Sequence, residues 1–114
     1  MSSMRTLLHP TLDDLSLPTI LYALGDSVRL RIVEQLAGCG EAMSCGDLDV
    51  VHEVPKSTGS HHFKVLREAG LIRMVPQGRR VLVSLRRADL NARFPSLLET
   101  VLQTYHRQDD KVTG

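Results

Sequence analysis

Two adjacent histidines, His61 and His62, sit in the stretch KSTGSHHFKVLREAGLI at residues 56–72, and the two cysteines of the chain, Cys39 and Cys45, precede them. Imidazole and thiolate are both ligands for transition metals, so one chemistry open to these residues is metal binding. The flanking residues allow another. Ser57, Thr58, Ser60 and His61 carry short donors and acceptors suited to base edges, while Lys56, Lys64 and Arg67 are cations suited to phosphates. Cys39 and Cys45, six residues apart across a glycine-containing turn, are also a candidate redox pair. The adjacent acids Asp13 and Asp14, like Asp109 and Asp110, lie near the termini and read as solvent-facing. Neither a glycine-rich phosphate loop nor a nucleophile–base pairing is visible, so the pattern argues against an enzyme.

The elements that must hold these residues can be read from spacing and punctuation. Leu17, Ile20, Leu21 and Leu24 recur at helical intervals, with Pro18 acceptable in a first turn. Asp26 or Ser27 can cap a second helix built on Val28, Leu30, Ile32, Val33 and Leu36, ending at Gly38-Cys39-Gly40. Ser44 and Asp47 resemble a capping box and predict a short helix through Leu48 and Val51. Pro55 breaks the chain, and the helix carrying the histidines runs from about Ser57 to Ala69, closed by Gly70. The period then changes. In LIRMVPQGRRVLVSL the apolar residues on either side of Gln77-Gly78 predict a β-hairpin with Arg79 and Arg80 at its tip. Pro76 beside the turn suits a hairpin end. Asp89 starts a turn, and Ser96 with Glu99 predicts a capped last helix on Leu97, Leu98, Val101, Leu102 and Tyr105. Two short helices with a tight break, followed by a basic hairpin, is the layout of a winged helix-turn-helix. The expectation is a mainly α fold of about five helices with a two-stranded wing, as a dimer. Its parts are an arm at 1–15, the winged domain at 16–107, and a polar tail at 108–114.

Helical geometry separates the two histidines. At about 100° per residue, Phe63, Leu66 and Gly70 gather on one side with Gly59 beside them, and that side faces the core. His62 falls about 50° from the centre of this stripe and His61 about 150° away. Their directions differ too much for one shared metal ion. His61 joins Ser57, Ser60 and Lys64 on the outward face, and His62 reads as a structural histidine at the core edge. Gly59 costs about 1 kcal/mol of helix stability relative to Ala and suggests that another backbone comes close, either the preceding helix or DNA.

The bulk numbers agree with a small DNA-facing domain. The 114 residues suit one domain, and 42% hydrophobic residues with no Trp make a core of Leu, Val and Ile. The overall charge is only +1, yet residues 56–87 carry eight Lys/Arg against the single acid Glu68, leaving the rest of the chain net negative. A contiguous basic third is a plausible footprint for a polyanion. No run approaches the roughly 18 apolar residues a membrane span requires, two cysteines make no disulfide framework, and a cytoplasmic location is expected.

The segments ALGDSVRLRIVEQLAG (23–38), SCGDLD (44–49), STGSHHFKVLREAGLI (57–72) and QGRRVLVSL (77–85) resemble the ArsR/SmtB-type winged helix-turn-helix repressors. The resemblance implies a homodimer packed through its first and last helices, bound to a palindromic operator in double-stranded DNA and released by an inducer that the sequence does not identify. The DNA-contacting set is then Lys56, Ser57, Thr58, Ser60, His61, Lys64, Arg67, Gln77, Arg79 and Arg80. The metal sites of such repressors do not carry over. Where the arsenic type has Cys-x-Cys before Asp-Leu, this chain has Ser44-Cys45-Gly46. Of the zinc type only a half resembling His106 and Asp109 is present, and the matching half near Arg93 to Pro95 offers no ligand. No metal and no cofactor are expected. The alternatives are a winged-helix module that docks proteins, and a thiol-responsive regulator using Cys39 and Cys45.

Overall fold

The computed structural model describes residues 7–113, with side chains up to residue 108. Residues 1–6 of the expected arm, Gly114 and the side chains of the last tail residues lie outside the described residues. Helix α1 (Leu17–Leu24) starts with proline in its first turn and buries Ile20, Ala23 and Leu24. Helix α2 (Ser27–Cys39) is capped by Asp26, whose carboxylate accepts the Val28 and Arg29 N–H groups at 2.9 and 3.1 Å. Satisfying two otherwise free donors in this way is worth about 1 kcal/mol.

The short helix expected from Ser44 to Val51 does not form. Met43–Ser44 is instead a strand, β1, and two 3-10 turns follow at Cys45–Asp47 and Asp49–Glu53. Ser44 makes no side-chain capping bond, because its backbone is committed to pairing with Leu82. Leu48, fully buried, is extended at φ −79° and ψ 124° and separates the turns. Side chains of α2 hold this segment down: Arg31 forks onto Glu53 with two 2.8 Å bonds, and the Gln35 carbonyl accepts the Asp49 N–H at 3.1 Å.

Helix α3 (Lys56–Ala69) begins after Pro55 and stops at Gly70, which is left-handed at φ +89°. Glycine is required there twice over, since a Cβ would also lie 2.1 Å from a methyl of Leu15. Strands β2 (Ile72–Gln77) and β3 (Arg80–Leu85) form the hairpin, turning at Gly78 with φ +63°. The strand order β1-β3-β2 puts the wing on a three-stranded antiparallel sheet rather than the two strands expected, with Val83 paired to both Met43 and Met74. Pro76 lies on the edge strand β2, where a missing N–H is tolerated.

A two-turn helix, α4 (Arg87–Arg93), stands where only a turn was expected. It buries the single residue Leu90 and has no side-chain cap, so its periodicity carries almost no signal. Helix α5 (Leu97–Thr113) completes the fold and buries Leu98 and Leu102. Its expected capping box is not made as drawn: Ser96 is at φ +68°, and the Glu99 carboxylate pairs with Arg87. Five α-helices are present among the described residues, but α4 replaces the one expected before α3. The core joins Ile32, Val33 and Leu36 of α2 to Phe63 and Leu66 of α3 and to Leu71, Ile72 and Val83 of the wing base. Each such side chain contributes about 1.5–3 kcal/mol by leaving water. Residues 8–15 lie against this body: Leu15 is buried, His9 Nε2 accepts the Met74 N–H at 3.0 Å, and the Pro10 carbonyl accepts from Arg86 at 2.8 Å.

Candidate nucleic-acid interface

Because α3 is a regular helix of 14 residues, its sequence splits into two faces. Gly59, His62, Phe63, Leu66 and Ala69 are buried, while Lys56, Ser57, Ser60, His61, Lys64 and Glu68 are exposed and Thr58 and Arg67 are half-buried. The histidine rings are 6.0 Å apart between centroids and tilted by 52°. Arg29 Nη1 donates to His62 Nδ1 at 3.1 Å, so that nitrogen is already engaged. The pair is not a chelate.

His62 and Arg29 form a cluster that the sequence did not reveal. Arg29 is buried in α2 and its guanidinium also donates to the carbonyls of Ala23, at 2.7 Å, and Tyr22, at 3.3 Å. It lies 5.3 Å from the centre of the Tyr22 ring, within cation–π range. Asp26 Oδ2 is 3.8 Å from His62 Nδ1. Burial pushes the His62 pKa below its usual value, the Arg29 and His61 charges push the same way, and Asp26 opposes them. Burial works against the Asp26 carboxylate, but its backbone hydrogen bonds and the neighbouring positive groups hold its pKa below the usual value. A neutral His62 accepting from Arg29 satisfies both groups, and it ties α3 to the capped start of α2. The signal was present in the spacing: Arg29, Ile32, Val33 and Leu36 fall at i, i+3, i+4 and i+7, so residue 29 occupies a core position.

The basic third of the chain divides in the same way. Arg86 is buried, with Nε and Nη2 on Asp89 at 3.0 and 2.9 Å. Arg87 pairs with Glu99 and donates to the Ala37 carbonyl at 3.1 Å, and Arg73 lies 3.9 Å from Asp89. Arg67 donates to the Leu8 carbonyl, which restrains a side chain expected to reach phosphate. Four cations of the stretch remain with neither an acid nor a carbonyl partner among the described residues: Lys56 and Lys64 on α3, and Arg79 and Arg80 at the wing tip, all exposed, as is Gln77 before the turn.

Gly59 does not mark a close backbone approach within the chain, since a Cβ there would meet only a methyl of Val54, at 3.7 Å. Cys39 is exposed at the end of α2, and Cys45 is half-buried in the 3-10 turn, where burial pushes its thiol up to about 11. Cys45 is therefore a thiol rather than a thiolate at neutral pH, the less reactive form. On α5, His106 Nδ1 is 3.0 Å from a Glu34 carboxylate oxygen. Among the described residues no helix is long and apolar enough to cross a membrane.

Comparison with known proteins agrees with this geometry. Residues 24–75 match a family described as a helix-turn-helix domain. An uncharacterized HTH-type transcriptional regulator, YceK of Bacillus subtilis (strain 168), is 39% identical over 89 residues, covering 78% of this chain and 89% of that protein. The transcriptional repressor BigR from Xylella fastidiosa superposes with a TM-score of 0.60 at 23% identity, over 77% of this chain and 84% of that one. An ArsR-like transcriptional regulator from Rhodococcus sp. RHA1 does so with a TM-score of 0.56 at 23% identity, over 83% and 87%. At that identity the two structures speak for the fold alone, the winged helix-turn-helix.

Proposed function

The chain belongs to the helix-turn-helix transcriptional regulators, with the fold of the ArsR-type proteins, and from that premise we propose that it is a homodimeric repressor reading a palindromic operator. It acts in the cytoplasm by binding and release, without chemistry of its own. The outward face of α3 enters the major groove: Ser57, Thr58, Ser60 and His61 address base edges, and Lys56 and Lys64 address phosphates, while Arg67 stays on the Leu8 carbonyl. Gln77, Arg79 and Arg80 of the wing hold the adjacent backbone. The observation that carries this reading is the group of four unpaired, exposed cations on two consecutive elements, in a chain whose other arginines of the same stretch are tied down.

Self-association is supported by α1. Leu17, Leu21 and Tyr22 are exposed by 41, 48 and 66%, and Leu12 in the preceding turn by 38%. Leu17 and Leu21 are one helical turn apart, so they share a face that the described residues leave partly open. Pairing two copies there, together with α5, sets two α3 helices about 34 Å apart, one turn of DNA.

The double substitution Arg79→Ala/Arg80→Ala tests the interface. Affinity for a duplex from the chain's own promoter region is expected to fall, and the slope of log affinity against log salt to flatten by about 2, one for each phosphate contact removed. Absence of salt-dependent binding to any duplex sinks the proposal and leaves a protein-docking module in its place.

A further inference from the structure

Beside the start of α3 lies a groove of about 510 Å³, between the helix and the 3-10 turns before it. Its apolar walls are Val51, Val54 and Phe63, with the Cys45 side chain alongside. Gly59 opens it further: where another residue would place a side chain, only the Val54 methyl stands, 3.7 Å from the position of a Cβ. The polar lining consists of Lys56, Ser60 and His52. His52 Nε2 donates to the Gly46 carbonyl at 2.7 Å, which fixes that ring and closes one end. Lys56 has no acid partner among the described residues.

We propose that this groove binds a small organic monoanion with an apolar body, an aromatic or branched carboxylate, whose charge pairs with Lys56. The volume falls in the range of small-molecule sites, and their usual make-up is the one found here, apolar walls with a few polar groups that fix orientation. The sign of the charge follows from the lining. No Asp or Glu contributes to it, and Glu53 of the same turn is engaged by Arg31. A single lysine matches one negative charge, and Ser60 supplies a hydroxyl donor.

The consequence for regulation rests on the DNA-binding reading above. Lys56 and Ser60 belong both to the groove and to the face proposed to meet DNA. A carboxylate on Lys56 removes a cation from the phosphate contact, and an occupied groove crowds the N-terminal turn of α3. Ligand and operator then oppose each other, each weakening the other by the same factor.

Phenylacetate serves as the probe, with phenylacetamide as its neutral counterpart. In the DNA-free full chain labelled with 13C and 15N, phenylacetate is expected to shift the Gly46 and Gly59 amides and the Val51 and Val54 methyls saturably. Lys56→Gln, an exposed position, should weaken binding about tenfold, and phenylacetamide should bind about tenfold more weakly than phenylacetate. Shifts scattered over the surface, equal binding of the amide, or indifference to Lys56→Gln would each overturn the site. Saturating phenylacetate should then raise the duplex Kd at least about fivefold over sodium chloride of equal ionic strength. An unchanged duplex Kd with the groove occupied overturns the regulatory part. If no duplex binds at all, the DNA-binding reading fails, and the DNA-free titration alone decides the groove.

Discussion

On the inner face of α3, His62 is 8% exposed and accepts a hydrogen bond from a buried arginine; one residue earlier, His61 is exposed and makes no hydrogen bond to the rest of the described protein. The same side chain thus meets two environments, separated by about 100° of helix rotation. Inside, the polar atoms are paired, because an unpaired buried donor or acceptor costs about 1–3 kcal/mol. Outside, Ser57, Ser60, His61 and Lys64 keep their donors and acceptors free for another molecule. The basic residues repeat the contrast: Arg86, buried, spends its donors on Asp89 and Pro10, while Arg79 and Arg80 have no acid partner. What separates the two sets of polar residues is whether a partner lies among the described residues of the chain.

The contrast breaks most visibly at Arg29. Arg29→Ala removes three hydrogen bonds and leaves the Ala23 carbonyl and His62 Nδ1 without their partner. It should lower stability by about 3 kcal/mol in urea unfolding. A loss under about 1 kcal/mol would mean that the inner face does not depend on this cluster. The two histidines come next. His62→Ala should cost about 2 kcal/mol of stability, while His61→Ala should leave stability within about 0.5 kcal/mol and weaken duplex binding by about 1–3 kcal/mol. Were His61 silent in binding and His62 essential to it without destabilisation, the faces would be assigned the wrong way round.

Acid should loosen the inner face. Burial lowers the pKa of His62 below 6.5, and burial with the nearby Arg73, Arg67 and Arg86 does the same to His9, which must be neutral at Nε2 to accept the Met74 N–H. For a histidine whose folded pKa is depressed, the unfolded chain takes up the proton first. The stabilising contribution is therefore complete above 6.5 and is lost as the pH falls through the lowered folded values. The urea midpoint is expected to drop as the pH falls below about 6.5, with a shallower drop in His62→Gln, since each displaced proton contributes to the slope. A midpoint that rises on acidification contradicts this arrangement. The smallest effect belongs to Gly59→Ala, which should stabilise α3 by up to about 1 kcal/mol because the added methyl meets only Val54 at van der Waals distance. Weaker duplex binding in this more stable variant would assign the glycine to close approach of DNA.

Much of the fold was legible locally. Asp26 as a cap, Gly70 as a stop, the change of period after it and the turn at Gly78 all depend on residues within a few positions of one another. The faces of α3 were legible for the same reason. Three features were not. Strand β1 is two residues long and exists only through its pairing with β3, some forty positions away. Helix α4 has one buried residue and rests on Arg86, Asp89 and the packing of Leu90. The basic third read as one footprint of eight cations, because a sequence shows charges and not their partners.

The sequence by itself determined where α1, α2, α3, α5 and the hairpin lie and which side of α3 turns outward, since helical and strand periods act over a few residues. Only the tertiary structure decided which polar residues are used up inside. Arg29 meets His62 across 33 positions, and Arg86 meets the Pro10 carbonyl across 76. Such pairings follow from the packing of distant segments against a common core, and no local period records them.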